Sequence, residues 1–189
     1  MIYNVSGLLS GKPGESRQHE IENERLTFGH GGQGQKRSSF TQISGPVRMM
    51  KTDRTVLVTA DIEAVTHASC SRCLEPATVN VSVALEEEFI PKNADLMGGR
   101  KDRSQDEDGF YDPALFIDEQ NFLDLREVLG QALTGATQIA PLCKDDCLGI
   151  CPVCTVNRNE IQCTCAQNSI DPRWEALAGL MVEGAESSG

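Results

Sequence analysis

The eight cysteines of this chain fall in two clusters, and their spacing constrains the fold more than any other feature. Cys70 and Cys73 form a Cys-x-x-Cys pair in the first half, while Cys143, Cys147, Cys151, Cys154, Cys163 and Cys165 crowd one segment of the second. Sulfurs one to three residues apart cannot pair as disulfides in regular geometry, but neighbouring thiolates can converge on one ion. The layout points to metal rather than to bridges.

Cys151-Pro152-Val153-Cys154 has the form of a knuckle whose backbone N–H groups turn toward sulfur, and Cys163-Thr164-Cys165 follows after a loop of ribbon-like length. These four can close one tetrahedral site. Cys70, Cys73, Cys143 and Cys147 then form a second set, tying the first half of the chain to the second. Two zinc sites of four thiolates are the main expectation. One site built from Cys143, Cys147, Cys151 and Cys154 is the alternative, and iron–sulfur ligation stays open because thiolates serve both metals.

The opening Met1-Ile2-Tyr3-Asn4-Val5 has no basic region and no apolar stretch of signal-peptide length. No window reaches membrane-span length. The expectation is a cytoplasmic chain in a reducing compartment, where clustered cysteines bind metal or do redox chemistry. A redox pair, as in thioredoxin-like proteins, would need a helix after the Cys-x-x-Cys. Cys70-Ser71-Arg72-Cys73 instead lies between two strand-like runs, which suits a metal knuckle better. A redox-responsive or zinc-responsive regulator using the same cysteines remains the alternative function.

Among 189 residues only 5% are aromatic, enough for one moderate core with a metal-stapled appendage. The formal charge is −11; two loaded sites of four thiolates would bring it to roughly −15. Such a surface is poorly suited to gripping a phosphate backbone along its length. Nucleic-acid contact is therefore expected to be local, at Arg48, Lys51, Arg54 and Arg72, or to run through a protein partner. A solvated strand edge and loop is the plainer reading of those four residues.

Short alternating runs occur at 2–9 and 17–28, and another begins at Val47–Lys51. The strongest strand signal is Thr55–Thr66, where Val56, Val58, Ala60, Ile62 and Ala64 share one face. Its expected partner is Thr78–Ile90, with Val79, Val81, Val83 and Leu85 on one face. Cys70 and Cys73 lie in the connection, so they cap an antiparallel hairpin. Residues 92–120 read as a mixed-charge loop anchored by Phe110, Tyr111, Leu115 and Phe116. Periodic Phe122, Leu125, Val128 or Leu129, Ala132 or Leu133 and Ala136 predict the principal helix over 121–139, with Asn121 as N-cap and Pro141 ending it. Asp171-Pro172-Arg173-Trp174 predicts the start of a short second helix.

Enzymatic readings find little footing. Gly29-His30-Gly31-Gly32-Gln33-Gly34 has the letters of a dinucleotide fingerprint, but no helix pattern follows to meet a phosphate. It is followed by Gln35-Lys36-Arg37, so it is no P-loop. His19, His30 and His67 have no nucleophile at motif spacing, and closed four-cysteine sites leave no open ligand position for catalysis.

The segment from Leu142-Cys143 through Cys147-Leu148-Gly149-Ile150-Cys151-Pro152-Val153-Cys154, with Asn157, Asn159, Cys163-Thr164-Cys165 and Asp171-Pro172-Arg173, resembles the C-terminal signature of the YceD family, the large ribosomal RNA subunit accumulation proteins. Cys70-Ser71-Arg72-Cys73-Leu74 resembles its other motif, so the likeness covers nearly the whole chain. Two residues depart from the pattern. Thr155 stands where glycine usually follows the knuckle, which implies local distortion, and Arg158 replaces an apolar residue.

The resemblance implies a non-catalytic factor in accumulation or maturation of large-subunit ribosomal RNA. Its partner would be a ribosome-biogenesis protein or the RNA precursor, with neither a membrane nor a small-molecule substrate involved. The expected fold is α+β: an antiparallel β-sheet over 1–91, barrel-like closure left open, a loop over 92–120, and over 121–189 one long helix packed on the sheet, a cysteine-rich zinc-binding C-terminal segment and a short helix. Together these are expected to make one compact domain.

Overall fold

Alternating burial along a pair of long strands organises the first part of the chain. The computed structural model describes residues 1–29, 37–92 and 112–165, which divide into two compact units. One comprises Met1–Cys70 and Glu75–Lys144, the other Ser71–Leu74 and Asp145–Gly189.

In the first unit, β1 is Ile2–Asn4, α1 is Ser6–Leu9, β2 is Ser16–Phe28, β3 is Ser38–Lys51, β4 is Val56–Ser69 and β5 is Pro76–Pro91. A 3-10 turn at Pro113–Leu115 leads to β6 at Phe116–Ile117, β7 at Phe122–Asp124 and α2 at Arg126–Ala136. The hairpin of β4 and β5 runs in unbroken register from Val56 opposite Phe89 to Ser69 opposite Pro76. Val56, Val58, Ala60, Ile62 and Ala64 are all buried, and so are Val79, Val81, Leu85 and Phe89 across from them. Burying a side chain of this size is worth about 1.5–3 kcal/mol, and the period of two directs that gain to one face.

The main sheet has the order β2-β3-β4-β5-β6 and, among the described residues, remains open. It is mixed, not antiparallel throughout: Ile90 and Pro91 pair parallel with Phe116 and Ile117. A second sheet of two strands joins β1 to β7, pairing Ile2 with Asp124 and Asn4 with Phe122.

That pairing shortens the expected helix. Asn121 is not an N-cap: it has φ 62° and turns the chain into β7, so residues 122–124 are extended. The helix then begins at Arg126, whose N–H donates to Asp124 Oδ1 at 3.0 Å. At the other end Thr134 and Thr137 donate their hydroxyls to the Gly130 and Leu133 carbonyls at 2.7 Å, and the chain turns extended at Thr137, before Pro141 is reached. The helix therefore has 11 residues and presents Val128, Leu129 and Leu133 to the core. The run at 2–9 is likewise split between β1 and α1.

Strand β3 starts well before the Val47–Lys51 run because its earlier part is irregular. Its register against β2 shifts between Ile21 and Glu24, and against β4 between Thr41 and Ser44. Asn23 and Gln42, with φ 50° and 53°, mark these bulges. Beyond them Gly45 has φ 145°, and a Cβ there would lie 2.1 Å from the Asp61 carbonyl oxygen. Only glycine permits that approach of β3 to β4. The glycine-rich run from His30, residues 93–111 of the expected loop and the helix expected from Asp171 lie outside the described residues.

Replacing Gly45 by alanine is expected to cost about 1–3 kcal/mol by overpacking against backbone that cannot yield. A urea titration of the variant should show the lowered midpoint with an unchanged slope.

Candidate metal centres

The two Cys-x-x-Cys turns share a backbone signature. The residue directly after the second cysteine lies in the left-handed region in both, Leu74 at φ 66° and Thr155 at φ 60°. Neither is glycine, and a β-branched residue there is an outlier. At the second turn the Thr155 N–H donates to the Cys151 carbonyl at 2.9 Å and the Thr155 hydroxyl to the Cys154 carbonyl at 2.7 Å. The knuckle thus keeps its form with threonine in the glycine position, and the departure appears as strain held in one residue.

The thiols come together as two groups of four. Cys70, Cys73, Cys143 and Cys147 have their sulfurs within 4.8 Å of one another, and so do Cys151, Cys154, Cys163 and Cys165. Both groups could hold a metal ion. Their donor sets are wholly sulfur, the ligand chemistry of closed structural zinc or of iron–sulfur clusters. Cys70, Cys73, Cys147 and Cys151 are buried, Cys163 and Cys165 are half-buried, and Cys143 and Cys154 are exposed.

Local structure positions each ligand. Cys70 directly follows β4, its N–H donating to the carbonyl of Glu75, the residue before β5, at 2.8 Å. In the second unit the Arg72 guanidinium donates to the Cys147 carbonyl at 2.9 Å, and the Ile150 N–H to the Arg72 carbonyl at 3.0 Å. Gly149 sits against this contact with φ 72°, where a Cβ would come to 3.1 Å from the Arg72 oxygen. The Cys151 N–H donates to the Val156 carbonyl at 2.8 Å, and the Arg158 N–H returns to the Gly149 carbonyl at 2.9 Å.

Electrostatics set the thiols of the second group apart. The backbone N–H groups of Cys154 and Val153, reinforced by thiol hydrogen bonds, pull the Cys151 thiol down to about 6. Cys163 is pushed up, chiefly by its hydrogen bond to Cys151, and Cys165 is pushed up to about 12, chiefly by its hydrogen bond with Cys154 and then by burial. Metal takes thiolates, so an ion binding to this group would release thiol protons.

Among the described residues of the second unit, cysteines take the buried side-chain positions. Of its described residues the buried ones of hydrophobic type are Cys73, Cys147 and Cys151, whereas Leu74, Leu148, Ile150, Val153 and Ile161 are exposed.

The basic candidates are scattered. Arg48 is exposed on β3 opposite Thr59, and Arg54 is exposed in the turn before β4. Lys51 ends β3 with its ammonium donating to the Leu9 carbonyl. Arg72 is exposed beside the first thiol group. Among the described residues, exposed carboxylates at Glu20, Asp61, Glu63, Glu86 and Glu88 lie on β2, β4 and β5, and exposed cations at Arg25 and Arg48 on β2 and β3. Asn157 and Asn159 are the further residues of interest, and their place in the family-like motif is the only signal for them in the sequence. No helix among the described residues is long and apolar enough to cross a membrane.

A family model described as large ribosomal RNA subunit accumulation protein YceD matches residues 58–181. Uncharacterized proteins of Mycobacterium bovis and of Mycobacterium tuberculosis are each 32% identical over 149 residues, covering 75% of this chain and 62% of the relative. The chain thus spans about three fifths of the length of the curated relatives it matches. No solved structure matches it.

Three outcomes follow for these groups. Stripping metal with a strong chelator should abolish amide protection over 145–165 while the amides of β4 and β5 stay protected, as hydrogen exchange would register. Metal uptake by the stripped chain should release protons, with affinity rising as pH increases through neutrality, because Cys163 and Cys165 are still protonated there; calorimetry in buffers of different ionisation heat measures the number released. Replacing Leu74 or Thr155 by glycine should add about 0.5–1 kcal/mol of stability, relief of the left-handed strain exceeding the entropy glycine adds to the unfolded chain.

Proposed function

The chain belongs to the YceD family, the large ribosomal RNA subunit accumulation proteins, and from that membership we propose that it is a non-catalytic, zinc-stapled factor in maturation of the large ribosomal subunit. The observation that carries the structural part is the pair of all-sulfur groups. A zinc ion with four thiolates has no open position for water or substrate, so its contribution is to folding. Cys70, Cys73, Cys143 and Cys147 would hold one ion, and Cys151, Cys154, Cys163 and Cys165 the other.

The distribution of charge supports a particular way of working. The acidic balance of the chain, with a formal charge of −11, disfavours an extended grip on phosphate and favours a basic protein of the maturing subunit as partner. Direct phosphate contact is then local, assigned to Arg48, Lys51, Arg54 and Arg72. Arg72 is the best placed of them, since its anchorage at Cys147 fixes its approach. The protein works in the cytoplasm in this reading.

A thiol-based regulator is the second reading, favoured by the exposure of Cys143 and Cys154, one in each group. Exposed thiolates are the first to oxidise. Reversible metal loss with disulfide formation under mild oxidant would establish it, and metal retained under that treatment would exclude it.

Density-gradient sedimentation of tagged protein from its own cells tests the main reading. Co-migration with large-subunit precursors, and loss of that subunit's RNA on depletion, is the expected result; a small free protein with normal ribosomal RNA after depletion would overturn it. Arg54→Glu with Arg72→Glu should weaken the co-migration about tenfold if each lost contact is worth a typical surface ion pair. An unchanged profile would remove those arginines from the contact.

A further inference from the structure

Between the second knuckle and Cys163 the chain makes a polar turn whose side chains reach a ligand of the other thiol group. Asn159 lies at its centre. Its Oδ1 accepts from the Leu148 N–H at 2.9 Å, and its Nδ2 donates to Cys147 Sγ at 3.3 Å and to Asn157 Oδ1 at 2.8 Å. The amide orientation follows from these partners. Reversed, its NH₂ would face the Leu148 N–H donor and its oxygen would face sulfur and the Asn157 oxygen, leaving every contact mismatched.

The turn is itself held from within the second unit. Asn157 Oδ1 also accepts from the Asn159 N–H at 3.1 Å, and Asn157 Nδ2 donates to Glu160 Oε1 at 3.1 Å. A bridge between Ile150 and Asn157 sets the turn against the strand-like segment that leads from Cys147 to Cys151. On either side stand Cys154 and Cys163, both members of the second thiol group. An ion in that group closes the loop in which Asn157 and Asn159 lie.

We propose that Asn159 is a positioning residue that couples the two thiol groups: an ion held by Cys151, Cys154, Cys163 and Cys165 orders the turn that delivers the Asn159 N–H to the Cys147 sulfur, and so tightens metal binding by Cys70, Cys73, Cys143 and Cys147. The chemistry is general. An N–H donor on a metal-bound thiolate orients the sulfur, withdraws charge from it and competes with its protonation, and loss of such an outer partner costs about 10–100-fold in metal affinity. Coupling follows because the donor sits in a loop whose ends belong to the other site. By linkage the first ion must favour binding of the second by the same factor.

The inference rests on the metal-site reading above, and the test separates the two. The full chain, stripped and then titrated with Cd²⁺ against a competing chelator, is followed by cadmium NMR, in which each sulfur-bound ion gives its own resonance. Asn159→Asp keeps the acceptor for Leu148 but removes the donor to sulfur; Asn159→Ala removes both; Cys163→Ser with Cys165→Ser disables the second group alone. The expected result is a first-group affinity lowered about 10–100-fold in each of the three, with a shifted first-group resonance in Asn159→Asp. Combining Asn159→Asp with the two serines should add little, because both act through one contact. Two ions bound as in the parent, with first-group affinity and resonance unmoved by Asn159→Asp, would overturn the coupling and leave the metal sites standing. A parent chain that takes up no cadmium on sulfur would overturn both. Should Asn159→Ala fail to fold, the isosteric Asn159→Asp and the serine pair decide the matter.

Discussion

Convergence of sulfur on two points is the constraint on which the rest of the second unit depends. Its described residues bury cysteines where a larger fold would bury leucine and valine, and among them Leu74, Leu148, Ile150, Val153 and Ile161 face solvent. Backbone hydrogen bonds and the Arg72 contact give the unit shape, but these are exchanges with water worth about 1 kcal/mol each. Four thiolates brought within reach of one another would repel or hold protons, so the same packing that assembles them makes a cation the stabilising component. The first unit needs no such aid. Its β4–β5 hairpin carries continuous registered burial, and α2 adds Val128, Leu129 and Leu133 to that face.

What could be read from the residues alone depended on whether the deciding partner was near in sequence. The alternation of Val56 through Ala64 and of Val79 through Leu85 announces two strands, and the short link between them announces their pairing. Phe122 and Leu125 keep helical spacing with Leu129, so local periodicity extends the helix too far toward the N-terminus. The partner that turns 122–124 into a strand is Ile2–Asn4, over a hundred residues away. Strand β3 hides its first half because Gly45 and Pro46 look like a breaker, whereas here they serve a bulged strand passing close to Asp61. The parallel pair at Phe116 and Ile117 is too short to show any period.

Cysteine spacing makes the candidate ligands visible at once, since few other roles put eight thiols at such intervals. The supporting residues are harder to see. Thr155 looks wrong for its place until the backbone shows it adopting the conformation glycine would have taken. Asn159 is marked in the sequence by its place in the family motif alone, and the 3.3 Å approach of its amide to Cys147 gives it a role. Ligands are set by element type and outer partners by geometry, which is why one set is written in the sequence and the other is not.

The parallel pairing of β5 with β6 has a structural consequence. Pro91 faces Ile117, and the Lys92 N–H donates to the Ile117 carbonyl at 3.2 Å, so the chain leaves the sheet and returns to it at almost the same place. A closure pinned at both ends is insensitive to the contour between them, each doubling of which costs only about 0.6 kcal/mol. Residues 90–92 and 116–117 thus fix where the chain rejoins the sheet, whatever contour lies between, and the β7 and α2 elements that follow start from that one point.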